Sequence, residues 1–215
     1  MTGFFQTLEP LQIGLTVISA LGFAVYLFML HRPASLVRTV AKTLAVAALA
    51  ALTFAVGGPK LLALALILSA LGDAFLAHEG DVVFLGGLGS FLAAHIAYAV
   101  LFLSSGPGLA AAPLPGLLTV AVFGLVMGFV MVRKAGPLAL PVAAYVLAIA
   151  VMGLGGVTLG GLVLLGVLLF MASDAILGSE KFLMPEASRL RRLTGPAVWI
   201  LYYAGQALIT LGLLA

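Results

Sequence analysis

Apolar stretches close to twenty residues long follow one another through almost the whole chain, and this leaves few folds open. A helix needs roughly 20 apolar residues to cross a hydrocarbon core ~30 Å thick. Eight such stretches fit, at approximately 11–30, 42–57, 60–78, 83–104, 114–132, 137–153, 158–178 and 195–214. The breaks between them carry turn chemistry: Gly57-Gly58-Pro59, Ser104 to Pro115, Gly136-Pro137 and Gly153 to Gly156. Glu79-Gly80-Asp81 is a short charged hairpin, and Ser179 to Thr194 is the longest and most charged loop. The expected fold is all-α: a polytopic membrane protein of eight transmembrane helices, forming a single transmembrane domain over residues 1–215.

Composition closes off the alternatives. Hydrophobic residues make up 64% of the 215 and charged residues 8%, whereas a soluble domain carries about 25% charged residues. The first apolar stretch follows Glu9 and no basic residue, which predicts a retained helix and not a cleaved signal peptide. With no cysteine, disulfides and thiolate chemistry are excluded. The net charge of +3 comes from residues beside helix ends, where topology signals belong, so no nucleic-acid partner is expected. Arg32, Arg38, Lys42, Arg133, Lys134, Lys181, Arg189, Arg191 and Arg192 fall on one side of the eight-helix arrangement, and Lys60 alone on the other. Basic loops face the cytoplasm. The charged odd-numbered loops are therefore expected there, with both termini outside, in the inner membrane if the host is bacterial.

At a spacing of 101 residues, Asp73-Ala74-Phe75-Leu76-Ala77-His78-Glu79 echoes Asp174-Ala175-Ile176-Leu177-Gly178-Ser179-Glu180, and Arg32 echoes Arg133. Helices four apart run the same way through the membrane. The echo therefore points to two four-helix halves in a parallel repeat.

A charge at the centre of a membrane helix costs about 2.5–3.5 kcal/mol on insertion scales. Asp73 and Asp174 lie inside the third and seventh helices at matching positions, and a short aspartate cannot snorkel out as lysine does. Each needs a partner, a cavity or water. One such carboxylate alone could hydrate through the headgroups; a matched pair favours function. His95 lies about 18 Å beyond the charged hairpin at 1.5 Å per residue, and Phe91, His95, Tyr98 and Phe102 share a helix face. A histidine there could equally satisfy a neighbouring hydroxyl or carbonyl. In the last helix Trp199, Tyr203, Gln206 and Thr210 share a face, with Tyr202 alongside, and Tyr145 could reach the same cavity. Trp199 and Tyr202 could also belong to an interfacial belt, whereas Gln206 needs a partner in hydrocarbon. Lys42 could meet a phosphate, a carboxylate, or only the cytoplasmic interface. Three scattered histidines give no metal-ligand spacing, no serine stands in a Gly-x-Ser-x-Gly turn, and neither metal nor other cofactor is expected.

Taken in order, these residues resemble the lysoplasmalogenase-like (YhhN) family of eight-helix membrane proteins. The resemblance rests on Gly72-Asp73-Ala74-Phe75-Leu76, Phe84, Gly87, Phe91, Ala94-His95 and Tyr98. It continues through Pro141, Tyr145, Phe170, Ser173-Asp174, Leu177, Tyr202-Tyr203 and Gln206-Ala207-Leu208-Ile209. Lys42-Thr43-Leu44 stands where the family has Lys-Pro-Leu, a departure at the entry to the second helix. The resemblance implies hydrolysis of the vinyl-ether bond of lysoplasmalogens to a fatty aldehyde and a glycerophospho-base. Such a bond is cleaved by protonating its β-carbon and capturing the oxocarbenium ion with water, which requires one protonated and one ionised carboxyl, as in glycosidases. Asp73 and Asp174 would be that pair, with the acid unassigned, and His95 and Tyr98 would orient them or the water. Lys42 would hold the headgroup phosphate, with Tyr145, Tyr203 and Gln206 lining the substrate cavity. The expected partners are a lysophospholipid and the surrounding lipids; oligomeric state is not legible.

Two other classes stay open. Paired intramembrane carboxylates and a histidine also build proton relays, which fits a proton-coupled transporter, and a repeat fits one equally well. A non-catalytic lipid-binding scaffold would have little use for buried polar groups.

Overall fold

The computed structural model describes residues 9–215. Among them are eight α-helices: α1 (Pro10–Met29), α2 (Leu36–Ala55), α3 (Lys60–Phe75), α4 (Asp81–Ser105), α5 (Leu114–Lys134), α6 (Ala139–Leu159), α7 (Gly161–Phe182) and α8 (Arg191–Leu214). Seven are long and apolar enough to cross a membrane, and α3, with 16 residues, is shorter. The all-α polytopic membrane architecture is as expected. Its apolar side chains are turned outward: Phe28, Leu140 and Leu125 are 74–82% exposed, while His95, Gln206 and Asp73 are buried.

Several boundaries differ from expectation, α7 among them, which runs on to Phe182 where an end at 178 is expected; three have a clear physical cause. α2 begins at Leu36, six residues before the expected start at 42, because the Ser35 side chain accepts from the Arg38 backbone N–H at 3.3 Å and caps the first turn. Arg38 and Lys42 consequently stand one turn apart on a helix. α6 runs on through Gly153 to Gly156, where a break was expected. Those glycines are close-packing sites: a Cβ on Gly153 would meet Val120 and Met171, and one on Gly156 would meet Val167 at 2.9 Å. The turn comes later, at Gly160 and Gly161, whose φ of 67° and 52° favours glycine. α8 starts at Arg191, four residues early. The Arg191 guanidinium donates to the carbonyls of Glu180, Met184 and Pro185 and ties the preceding loop to the end of α7.

Neighbours in sequence pack as neighbours in space, α1 on α2, α2 on α3, α3 on α4, and likewise from α5 to α8. The two halves meet reciprocally, α4 lying against α6 and α8 against α2. The tightest seam is between α7 and α8, where the backbones of Gly166 and Gly205 come together as small residues allow between membrane helices. The first-half end that carries the α1–α2 and α3–α4 turns is also the end at which α7 stops and α8 begins. The polar residues gather toward that end.

Candidate active site

Asp73 lies two residues before the end of α3, and Asp174 lies eight residues before the end of α7. They are 1% and 7% exposed, and a carboxylate buried to that degree needs donors. Asp73 has two. The Lys42 ammonium from α2 stands 3.6 Å from Oδ1, and the Tyr202 hydroxyl from α8 donates to Oδ2 at 2.7 Å. Asp174 has different company. The Tyr145 hydroxyl from α6 donates to its Oδ2 at 2.6 Å, and His95 Nε2 from α4 lies 3.4 Å from the same oxygen.

The histidine's tautomer follows from its other side. His95 Nδ1 is 2.6 Å from the backbone carbonyl of Phe91, one turn earlier. A carbonyl only accepts, so Nδ1 carries a hydrogen and a neutral ring turns the bare Nε2 toward Asp174. Two acceptors facing each other call for one proton between them. The His95–Asp174 pair is thus arranged to hold a proton, whereas both oxygens of Asp73 face donors.

The two aspartates are served in the same way by equivalent helices. Each receives one side chain from the second helix of its own half, Lys42 or Tyr145, and one from the fourth helix of the other half, Tyr202 or His95. This is the pattern that two parallel four-helix halves facing one another would produce.

Both carboxylates line one cavity of about 210 Å³. Its wall runs from them to Arg38, Glu180 and Gly195, at the end of the bundle where α2 and α8 begin. Aromatic rings pack the deep side. Tyr202 meets Phe91 and Phe170 edge-on at 5.6 and 5.2 Å, and His95 meets Tyr145 at 5.0 Å and Phe170 at 4.8 Å. They pack ring against ring behind the carboxylates and fix the rings that contact them.

Lys42, Asp73, His95, Tyr145 and Asp174 therefore come together. Tyr98 and Gln206 form a deeper pair behind Tyr202, the phenol donating to the amide oxygen at 2.5 Å. Tyr203 turns toward α1, where it pairs with Ser19 at 2.9 Å and stacks on Phe23 at 4.5 Å. Tyr202, read from sequence only as lying alongside, is the residue that reaches Asp73. Arg38 and Glu180, which also stand in the cavity wall, carry no motif that marks them as site residues. The available signals were the four-residue spacings from Arg38 to Lys42 and from Tyr202 to Gln206, each of which sets two polar groups on one helix face.

No solved structure matches the chain. Among curated proteins it is similar to human lysoplasmalogenase TMEM86B, 34% identical over 163 residues, covering 74% of this chain and 65% of that protein. It is similar also to bovine lysoplasmalogenase TMEM86A, 31% identical over 157 residues, covering 68% of this chain and 62% of that protein. The chain thus spans less than two thirds of the length of these relatives. The model of the YhhN family matches residues 37–213, from the first turn of α2 to the last turn of α8, and the chain belongs to that family.

Proposed function

We propose that this protein is a membrane-embedded hydrolase that cleaves the vinyl-ether bond of lysoplasmalogen-type lysophospholipids, giving a fatty aldehyde and a glycerophospho-base. The observation that carries the reading is the unequal company of two buried carboxylates on one cavity: donors on both oxygens of Asp73, a bare imidazole nitrogen beside Asp174. The names of the relatives agree with it.

In this reading Asp174, with His95, supplies the proton that adds to the β-carbon of the vinyl ether. The adjacent carbon becomes an oxocarbenium ion, and the ionised Asp73 takes a proton from the water that attacks it. The hemiacetal then collapses. Asp73 returns its proton to the departing glycerol oxygen, and Asp174 recovers one from the hemiacetal hydroxyl, so both carboxyls end as they began. Positioned proton transfer of this kind is worth about 10²–10⁴-fold in rate. Lys42 serves Asp73 in this scheme, which leaves Arg38, at the cavity's outer end, as the cation nearest a headgroup phosphate. That end faces the cytoplasm, with both termini outside.

The test is aldehyde release from a lysoplasmalogen by detergent-purified protein, beside Asp73→Asn and Asp174→Asn. Activity in the parent that disappears in both folded variants is the expected result. Full activity in either variant sinks the acid–base pair. A folded parent that releases no aldehyde, yet moves substrate into sealed vesicles, is a transporter.

A further inference from the structure

The buried apolar residues fall into two clusters, and the smaller one, made of Met127, Met131, Ala135, Val142 and Val146, is separate from the main core. Between the clusters runs a narrow cleft bounded by α4, α5, α6 and α7, about 50 Å³ against the 210 Å³ of the polar cavity. The two spaces share walls at Leu76, Phe84, Phe91, Leu177 and, at their junction, Asp174. From Asp174 the cleft extends along α7 to Lys181, seven residues on, a rise of about 10 Å.

The polar groups in its lining are already engaged. The Tyr145 hydroxyl is committed to Asp174. The Lys181 ammonium pairs with Asp81 at 3.5 Å and lies over the Phe84 ring at 4.5 Å, so it offers the cleft its methylene stem. Apart from Asp174 at the junction and Gly178, everything else is aliphatic, aromatic or methionine. Methionine side chains yield to an irregular guest better than branched ones do. A headgroup would find neither room nor partners here, whereas a single file of methylene groups would find both a dry wall and an outlet onto the carboxylates.

We infer that this cleft holds the first part of the hydrocarbon chain of the lipid substrate, with the bond to be cleaved at Asp174 and the headgroup in the adjoining polar cavity, both running toward the end of the bundle where α7 stops. The inference rests on the hydrolase reading for the identity of the lipid. Met127, Met131, Val142 and Val146 are then specificity-determining residues: they set which chains reach the carboxylates.

The experiment uses a lysophosphatidylethanolamine whose chain is a saturated 1-O-alkyl ether, which the proposed chemistry cannot cleave, carrying a diazirine a few carbons from the ether oxygen. After irradiation of the full-length protein, labelled residues are mapped by mass spectrometry. Label is expected on Met127, Met131, Val142 or Val146. It should fall about tenfold in Val142→Trp, equivalent to ~1.4 kcal/mol of binding, and persist in Val142→Ala, with both variants monodisperse. Label confined to other helices, no specific label, or label unchanged by the tryptophan overturns the inference. Label in the cleft of a protein that releases no aldehyde leaves the inference standing and removes the hydrolase reading. Aldehyde release with the label elsewhere does the reverse.

Discussion

Lys42 and Asp73 form a buried ion pair, 3.6 Å from nitrogen to oxygen, in which a residue one and a half turns into α2 reaches one near the end of α3. Removing one member of such a pair leaves the other charged and unpaired in a medium that solvates it poorly, a loss of about 3–5 kcal/mol. Lys42→Met should therefore lower stability strongly, and Lys42→Met combined with Asp73→Asn should recover much of it without restoring aldehyde release. Thermal midpoints of the four proteins, compared as a double-mutant cycle, check this. Additive losses would mean that the two side chains do not depend on each other.

Tyr202 and Tyr145 each give one hydroxyl to one aspartate. Phenylalanine at either position keeps the ring packing and deletes the donor, a change of about 1–3 kcal/mol for a buried charged acceptor. Tyr202→Phe and Tyr145→Phe should each lower kcat by about tenfold or more while the protein elutes as the parent does. Unchanged kcat in both would remove the hydroxyls from the reaction.

His95 acts in the proposed scheme through the bare nitrogen that faces Asp174. His95→Phe fills the same space without that nitrogen and should lower kcat by about 10²-fold or more. His95→Gln, with a polar atom at similar reach, should recover part of the rate. Equal losses in the two would point to ring packing against Phe170 and Tyr145 as the histidine's role.

A Cβ on Gly166 would fall 2.7 Å from the Gly205 carbonyl oxygen, and one on Gly205 would fall 2.8 Å from that of Gly166. Both obstacles are backbone, so neither can rotate away. Gly166→Ala and Gly205→Ala should each push α7 from α8 and lower stability by about 1–3 kcal/mol, read as thermal midpoints in detergent. Gly14, whose Cβ would meet nothing within 4 Å, is the control that should tolerate alanine.

What could be read in advance follows from which interactions are local. The number and order of helices follow from runs of apolar residues, and the prominence of Asp73, Asp174 and His95 follows from the penalty for polar groups in hydrocarbon. The start of α2 is not legible because Arg32, Pro33 and Arg38 look like a loop. The deciding signal was one capping serine, Ser35. Gly153 to Gly156 looked like a turn because composition alone does not tell a glycine chosen for its backbone from one chosen for its missing Cβ. Tyr203 was set on the inward face in place of Tyr202, since the buried side of α8 carries Trp199, Tyr202, Gln206 and Ile209. A rotation of one residue about a helix axis is settled by the neighbours, here α1 and α3, which periodicity does not see.

The shortness of α3 bears on where the proposed lipid substrate would meet the carboxylates. Sixteen residues rise about 24 Å, less than the ~30 Å of hydrocarbon around them, and a bilayer accommodates a short span by thinning beside it. Asp73 stands at the end of that span. The vinyl ether of a lysolipid sits just beneath its headgroup, so in the proposed reaction a dimpled leaflet would bring bond and carboxylate to one level before the molecule enters the protein. The substrate would then move sideways into the cavity at its own depth, with no need to be drawn to the bilayer centre.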